Sequence, residues 1–235
     1  MLRAPVPKGR CAGWLLVAAL LVPLWAAAQT PPSSREIANY SGLHAAAHNG
    51  QAERIARLVA AGAKLDARDG NGRTALHVAT FAGQGDAIRS LIQAGAATSA
   101  LDDDRYDAVT IAAVANDEST LATLLGLGAS AALITSRYDG TALIAAAHLG
   151  HAGIVRQLIA AGAPLDHINN LHWTAVIESI TLGDGGPRHR ETLAALIRAG
   201  ADLRIADRRG NTPLALARSR GYREMEKMLV EAGAR

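Results

Sequence analysis

The stretch Gly72-Arg73-Thr74-Ala75-Leu76-His77-Val78-Ala79, with Gly83 behind it and Gly95-Ala96 further on, decides the reading of this chain. Its slots return along the sequence. With Thr74 as origin, the equivalent positions are Ser41, Asp107, Thr141, Thr174 and Thr212, so successive origins lie 33, 33, 34, 33 and 38 residues apart. Each origin is followed by a residue suited to stopping a helix: Gly50, Gly83, Asn116, Gly150, Gly183 and Gly221. A second stop falls at Gly62, Gly95, Gly128, Gly162, Gly200 and Gly233. Self-similarity at a fixed period near 33 residues marks a stacked array of small units.

One unit explains its own spacing. The Thr74 hydroxyl can cap a helix, and Pro213, in the slot of Ala75, sits where a missing N–H is harmless. Gly83 permits a left-handed turn between two short helices, and Asn116 is the mildest replacement for glycine there. Ile88, Leu91 and Ile92 lie on one side of the second helix and give it a single stripe to bury. Such a unit cannot cover its own faces, so the stack alone is stable.

The period and the Thr-Ala-Leu-His start resemble the ankyrin repeat family over residues 39–235. The resemblance implies an all-α repeat solenoid of six helix-turn-helix repeats joined by β-hairpin fingers. It also implies that His44 and His77, at the motif histidine, bond within and between repeats, and that His151 and His189 fill a second common histidine slot.

Residues ahead of the array read differently. Arg3, Lys8 and Arg10 precede an apolar run from Trp14 to Trp25 and the small residues Ala26-Ala27-Ala28, the pattern of an export signal cut after Ala28. A retained membrane anchor needs about 20 apolar residues, more than this run supplies before Pro23 interrupts it. The full chain carries 24 Lys and Arg against 21 Asp and Glu, but residues 29–235 balance at 21 of each. The only cysteine, Cys11, falls inside the leader, so the mature chain has no thiol or disulfide chemistry. The excess of Arg over Lys and the many alanines suit a bacterial periplasmic protein. Residues 29–38, with Pro31, Pro32, Ser33 and Ser34, read as a polar linker expected to be mobile.

Within the array, the first repeat is expected to cap one end, with Arg54 and Arg57 on its open side. Arg223, Glu224, Glu226, Lys227 and Glu231 are expected to give the last repeat a polar outer face. Repeat three, with Asp107, Val109 and Thr110 in place of Thr, Leu and His, is the most divergent, and Asp107 can still cap. The additional residue before repeat four belongs to its finger. Asp184 to Arg188 is inserted between the helices of repeat five and is expected to protrude.

Chemistry is sparse. His44 and His48 share a helix face, but no glutamate lies between them and no third ligand is placed nearby, so no metal is expected. No nucleophile turn or phosphate-cradling glycine loop is present, and Asp102-Asp103-Asp104 lacks the Gly and Glu of a calcium loop. Neither catalysis nor a cofactor is expected.

The variable positions carry the functional reading. In the ankyrin resemblance, the residue before the threonine and the two before the first glycine face a concave, partner-binding groove. Here these slots and their neighbours hold Arg73, Phe81, Tyr106, Val114, Tyr138, His148, Leu149, Trp173 and Leu182. Aromatic residues exposed on a concave face are what protein interfaces use as anchors. The competing reading turns Phe81 and Val114 inward as packing. Charge divides the array as well: residues 99–120 hold six acids and one base, whereas residues 184–223 hold nine bases and four acids. A field of that kind can steer a complementary protein.

The expected function is therefore non-enzymatic binding of an unidentified protein partner by a monomeric periplasmic module. Such a module could regulate or protect a periplasmic enzyme, or act as an immunity protein, with no nucleic acid and no membrane after leader removal. The alternatives are a membrane-tethered scaffold and a hydrolase-type enzyme.

Overall fold

The structure, a computed structural model, describes residues 29–235. The leader and its cleavage point lie outside that range. Thirteen helices form among the described residues. A short helix, α1 (Ser34–Asn39), leads six antiparallel pairs: α2 (Gly42–His48) with α3 (Ala52–Ala60), α4 (Ala75–Phe81) with α5 (Gly85–Gln93), and α6 (Ala108–Val114) with α7 (Glu118–Gly126). The second half repeats the plan with α8 (Ala142–Leu149) and α9 (Ala152–Ala160), α10 (Ala175–Thr181) and α11 (Pro187–Arg198), and α12 (Pro213–Ser219) and α13 (Arg223–Glu231). First helices pack on first helices and second on second, so the six repeats form a solenoid.

The helices are short because caps and left-handed turns bound them on both sides. Asp107 accepts from the Thr110 N–H at 2.8 Å, and Thr141, Thr174 and Thr212 cap their helices in the same way. At Thr74 the arrangement uses the histidine. His77 Nδ1 accepts from the Thr74 N–H at 3.0 Å, while its Nε2 faces the Tyr106 carbonyl at 3.0 Å in the next finger. His44 Nε2 reaches the Arg73 carbonyl at 3.0 Å, so these histidines tie repeat to repeat as the resemblance implies.

Small residues let the helices approach closely. Ala46, Ala79, Ala113, Ala147 and Ala217 are fully buried along the first-helix layer. Ile55, Ile88, Leu121, Ile154, Leu193 and Met225 form a matching row in the second-helix layer. Both rows belong to one continuous core, which suits a chain with so few aromatics.

The fingers are hairpin-shaped turns without strand ladders; a single isolated bridge joins Thr135 and Gly140. An Asx turn builds four of them. Asp69, Asp102, Asn169 and Asp207 each accept, through Oδ1, the N–H groups two and four residues on. In the longer finger of repeat four Ser136 Oγ takes this role for Tyr138 and Gly140. Neighbouring fingers are also bonded to one another, Asp103 N–H to Asn71 O at 3.1 Å and Ser136 N–H to Arg105 O at 2.8 Å.

Three expectations change. The polar stretch read as a mobile linker carries α1, because Ser33 and Glu36 close a capping box on its first turn. The insertion in repeat five does not protrude as a loop: Pro187 starts α11, which gains length, and the left-handed residue is Gly185 rather than Gly183. Asp184 Oδ1 accepts from the Gly186 N–H at 2.8 Å and faces His189 Nδ1 at the same distance, locking the turn.

Candidate functional site

Helices α6, α8 and α10, with the fingers of repeats three, four and five, border a cavity of about 120 Å³ on the first-helix side of the array. Tyr106, Val114, Tyr138, His148 and Leu149, five of the residues expected to contact a partner, line it together. Each is half-buried, so each packs on one side and remains accessible on the other. Val114 therefore opens into the groove rather than filling a gap between helices. Phe81, Trp173 and Leu182 are also half-buried, outside this cavity.

Arg73 is not available on the groove surface. Only 2% of its side chain is exposed, because α1 and the segment before it close over the guanidinium. Its Nε donates to Asp69 Oδ2 at 2.8 Å, its Nη2 pairs with Glu36, and its Nη1 donates to the Thr30 carbonyl at 3.2 Å. Tyr40 completes the cluster by donating its hydroxyl to Asp69 Oδ2 at 2.7 Å. The sequence reading assigned a contact role to a side chain that instead clamps the N-terminal segment to the array.

The floor of the cavity holds a group that the sequence reading missed. Glu178, on α10, is 4% exposed. Its Oε1 accepts from Asn169 Nδ2 at 3.1 Å, while Oε2 has no hydrogen-bond partner within the described residues and stands 3.6 Å from His148 Nδ1. Burial raises the carboxyl to about 7, against a smaller lowering effect from the Asn169 bond. Burial, and then the neighbouring His189, lower the His148 pKa. Burial thus disfavours the charged form of each member of the pair.

A second buried polar group enters from the chain's own N-terminal segment. Gln29 is 7% exposed and lines the same cavity, and its Nε2 also lacks a partner within the described residues. From α1, residues 29–33 therefore run past Arg73 to the space beside Tyr106, Tyr138 and Glu178.

One signal could have marked Glu178. Four residues past each origin the other repeats carry Ala45, Val78, Ile111, Ala145 and Leu216, so an acid there breaks an apolar rule. Among the described residues no cluster of three or more His, Cys, Asp or Glu side chains could hold a metal, and no helix is long and apolar enough to cross a membrane.

Comparison with known proteins agrees with this architecture. A family model described as ankyrin repeats (3 copies) matches in overlapping registers at residues 19–102, 43–137, 109–207 and 143–235. The ankyrin repeat protein YahD of Escherichia coli (strain K12) is 37% identical over 100 residues, which is 42% of this chain and 50% of that protein. The chain thus spans about half the length of this curated relative. An ankyrin repeat domain from Acinetobacter baumannii AYE superposes with a TM-score of 0.76 at 44% identity, covering 82% of this chain and 98% of that one. The ankyrin repeat domain of Bcl-3, described as a unique member of the IkappaB protein family, superposes with a TM-score of 0.75 at 26% identity, covering 84% and 88%.

Proposed function

Because the chain belongs to the ankyrin repeat family, whose repeats generally mediate protein–protein interaction, we propose that it binds a protein partner through the groove formed by its fingers and first helices. The observation that carries this reading is the grouping of Tyr106, Val114, Tyr138, His148 and Leu149 around one open cavity, each half-exposed on rigid elements. A preformed surface loses little conformational freedom on binding. The leader-like residues 1–28 and the cysteine-free remainder support export to a bacterial periplasm, with cleavage after Ala28. There the monomeric module regulates or protects an enzyme, or neutralises a toxin, without catalysis of its own.

The test is a crosslinked pull-down from periplasmic extract with the native protein and a Tyr106→Ala/Trp173→Ala variant of unchanged melting temperature. Capture by the native protein and loss with the variant supports the groove. Equal capture by both places the interface elsewhere.

One observation favours a second reading. A carboxyl titrating at about 7 beside a histidine, in a cavity that also contains Ser136, has the composition of a hydrolytic site. The geometry favours binding, because Ser136 Oγ is engaged by its own finger, accepting from the Tyr138 N–H at 3.2 Å. Hydrolysis of a p-nitrophenyl ester that disappears in His148→Ala would support the catalytic reading.

A further inference from the structure

Two buried polar groups without hydrogen-bond partners meet in one cavity: the Glu178 Oε2 acceptor from the floor, and the Gln29 carboxamide from the chain's own N-terminal segment. Orphaned polar groups are rare in protein interiors, and an acceptor facing a small cavity is suited to an incoming donor. The cavity, about 120 Å³, is sized for one side chain and not for a folded domain.

The N-terminal segment shows how such a side chain can arrive. The Thr30 carbonyl accepts from Arg73 Nη1 at 3.2 Å, and Ser33 then caps α1. Between these anchors and Gln29 the segment has no helix, and Pro31 and Pro32 favour an extended course. The groove thus already accommodates non-helical backbone that brings one carboxamide residue, Gln29, to the cavity wall.

We propose that this cavity is a subsite for a primary carboxamide side chain, Gln or Asn, carried by an extended segment of the partner, and that Gln29 stands at its edge in the partner-free protein and obstructs entry. The inference rests on the groove being the binding surface and adds the chemistry of one anchor. Tyr106 and Tyr138 form the wall of this subsite, and Glu178 Oε2 supplies the acceptor that neither Asn169 nor Gln29 engages. The partner's segment and residues 29–30 then exclude each other, so binding includes displacement of the chain's own strap. The Arg73 clamp sets how readily the strap is released.

The test uses a synthetic peptide of the chain's own residues 28–33, acetylated at its N-terminus, fluorescently labelled at its C-terminus and titrated by anisotropy into full-length protein. The expected result is binding to Gln29→Ala about tenfold tighter than to the native chain, because the internal competitor is gone, and a loss of about tenfold when the peptide glutamine is alanine. Glu178→Met, checked for a melting temperature no lower than the native one, is expected to lose a similar factor. Equal affinity of the glutamine and alanine peptides overturns the proposal without depending on any protein variant. Equal affinity of the native and Gln29→Ala proteins overturns the competition, and tighter binding of a lysine-substituted peptide overturns the carboxamide assignment. In the pull-down, a partner lost with Tyr106→Ala/Trp173→Ala but retained by Glu178→Met removes this subsite and leaves the groove intact. A partner insensitive to both removes the groove.

Discussion

His148 Nδ1 and Glu178 Oε2 face each other at 3.6 Å across the floor of the groove, with Glu178 almost wholly buried. The contact joins repeat four to repeat five where those helices would otherwise present apolar side chains. An acid in such a place weakens the fold at neutral pH, since desolvation penalises its charged form.

That penalty is measurable. Glu178 is raised from 4.5 to about 7, so between those values the folded protein holds a proton that the unfolded chain has released. Stability attributable to Glu178 is fully present below pH 4.5 and lost as pH rises through 7, a change of roughly 3 kcal/mol. His77 works in the opposite direction. Burial lowers it from 6.5 to about 4, so its contribution is present above 6.5 and lost as pH falls through 4. Between pH 4.5 and 6.5 the two slopes oppose each other, and their contributions to the native melting temperature largely cancel. Glu178→Gln should make it rise with pH across that window, and His77→Gln should make it fall. Calorimetric scans at four pH values check both signs.

Arg73 joins the N-terminal segment to the finger of repeat two through Asp69, Glu36 and Thr30. Truncating one member of a buried pair leaves its partner uncompensated, and Arg73→Ala should cost about 2–3 kcal/mol in urea unfolding, less than a full pair because Glu36 is partly exposed. The exposed pair of Arg204 and Asp202 is the control, and Arg204→Ala should leave the unfolding midpoint unchanged. Hydrogen exchange in residues 30–39 should accelerate only in the Arg73 variant.

The third residue after each finger's Asx adopts a left-handed conformation, as Gly72 with φ 70° and as His172 with φ 69°. His172 is exposed and strained, so His172→Gly should stabilise the fold by about 0.5 kcal/mol after the entropy cost of glycine. Gly72→Ala should destabilise by more than 1 kcal/mol, since strain is joined by a clash: its Cβ would lie 2.9 Å from the Asp103 backbone nitrogen. Thermal unfolding of the two single variants should move in opposite directions.

The architecture was legible because repetition makes local signals redundant. Thr141, Thr174, Gly150 and Gly221 take the caps and turns expected of them. Gly183 failed because the following insertion supplied Gly185, and a turn needs only one left-handed residue. The site was legible in part. Tyr106, Val114, Tyr138, His148 and Leu149 do share one cavity, since their slots follow the repeat. Arg73 was misplaced because its burial depends on α1, and Gln29 was missed because it lies outside the period. Glu178 departs from the period, and such departures are where pattern reading should turn next.

The most direct test of the groove is photocrosslinking from position 138. A benzoylphenylalanine replacing Tyr138 should capture one discrete protein in periplasmic extract, while the same group at Val230, exposed on α13, should capture none. Capture from position 230 with none from 138 would contradict the groove as the binding surface.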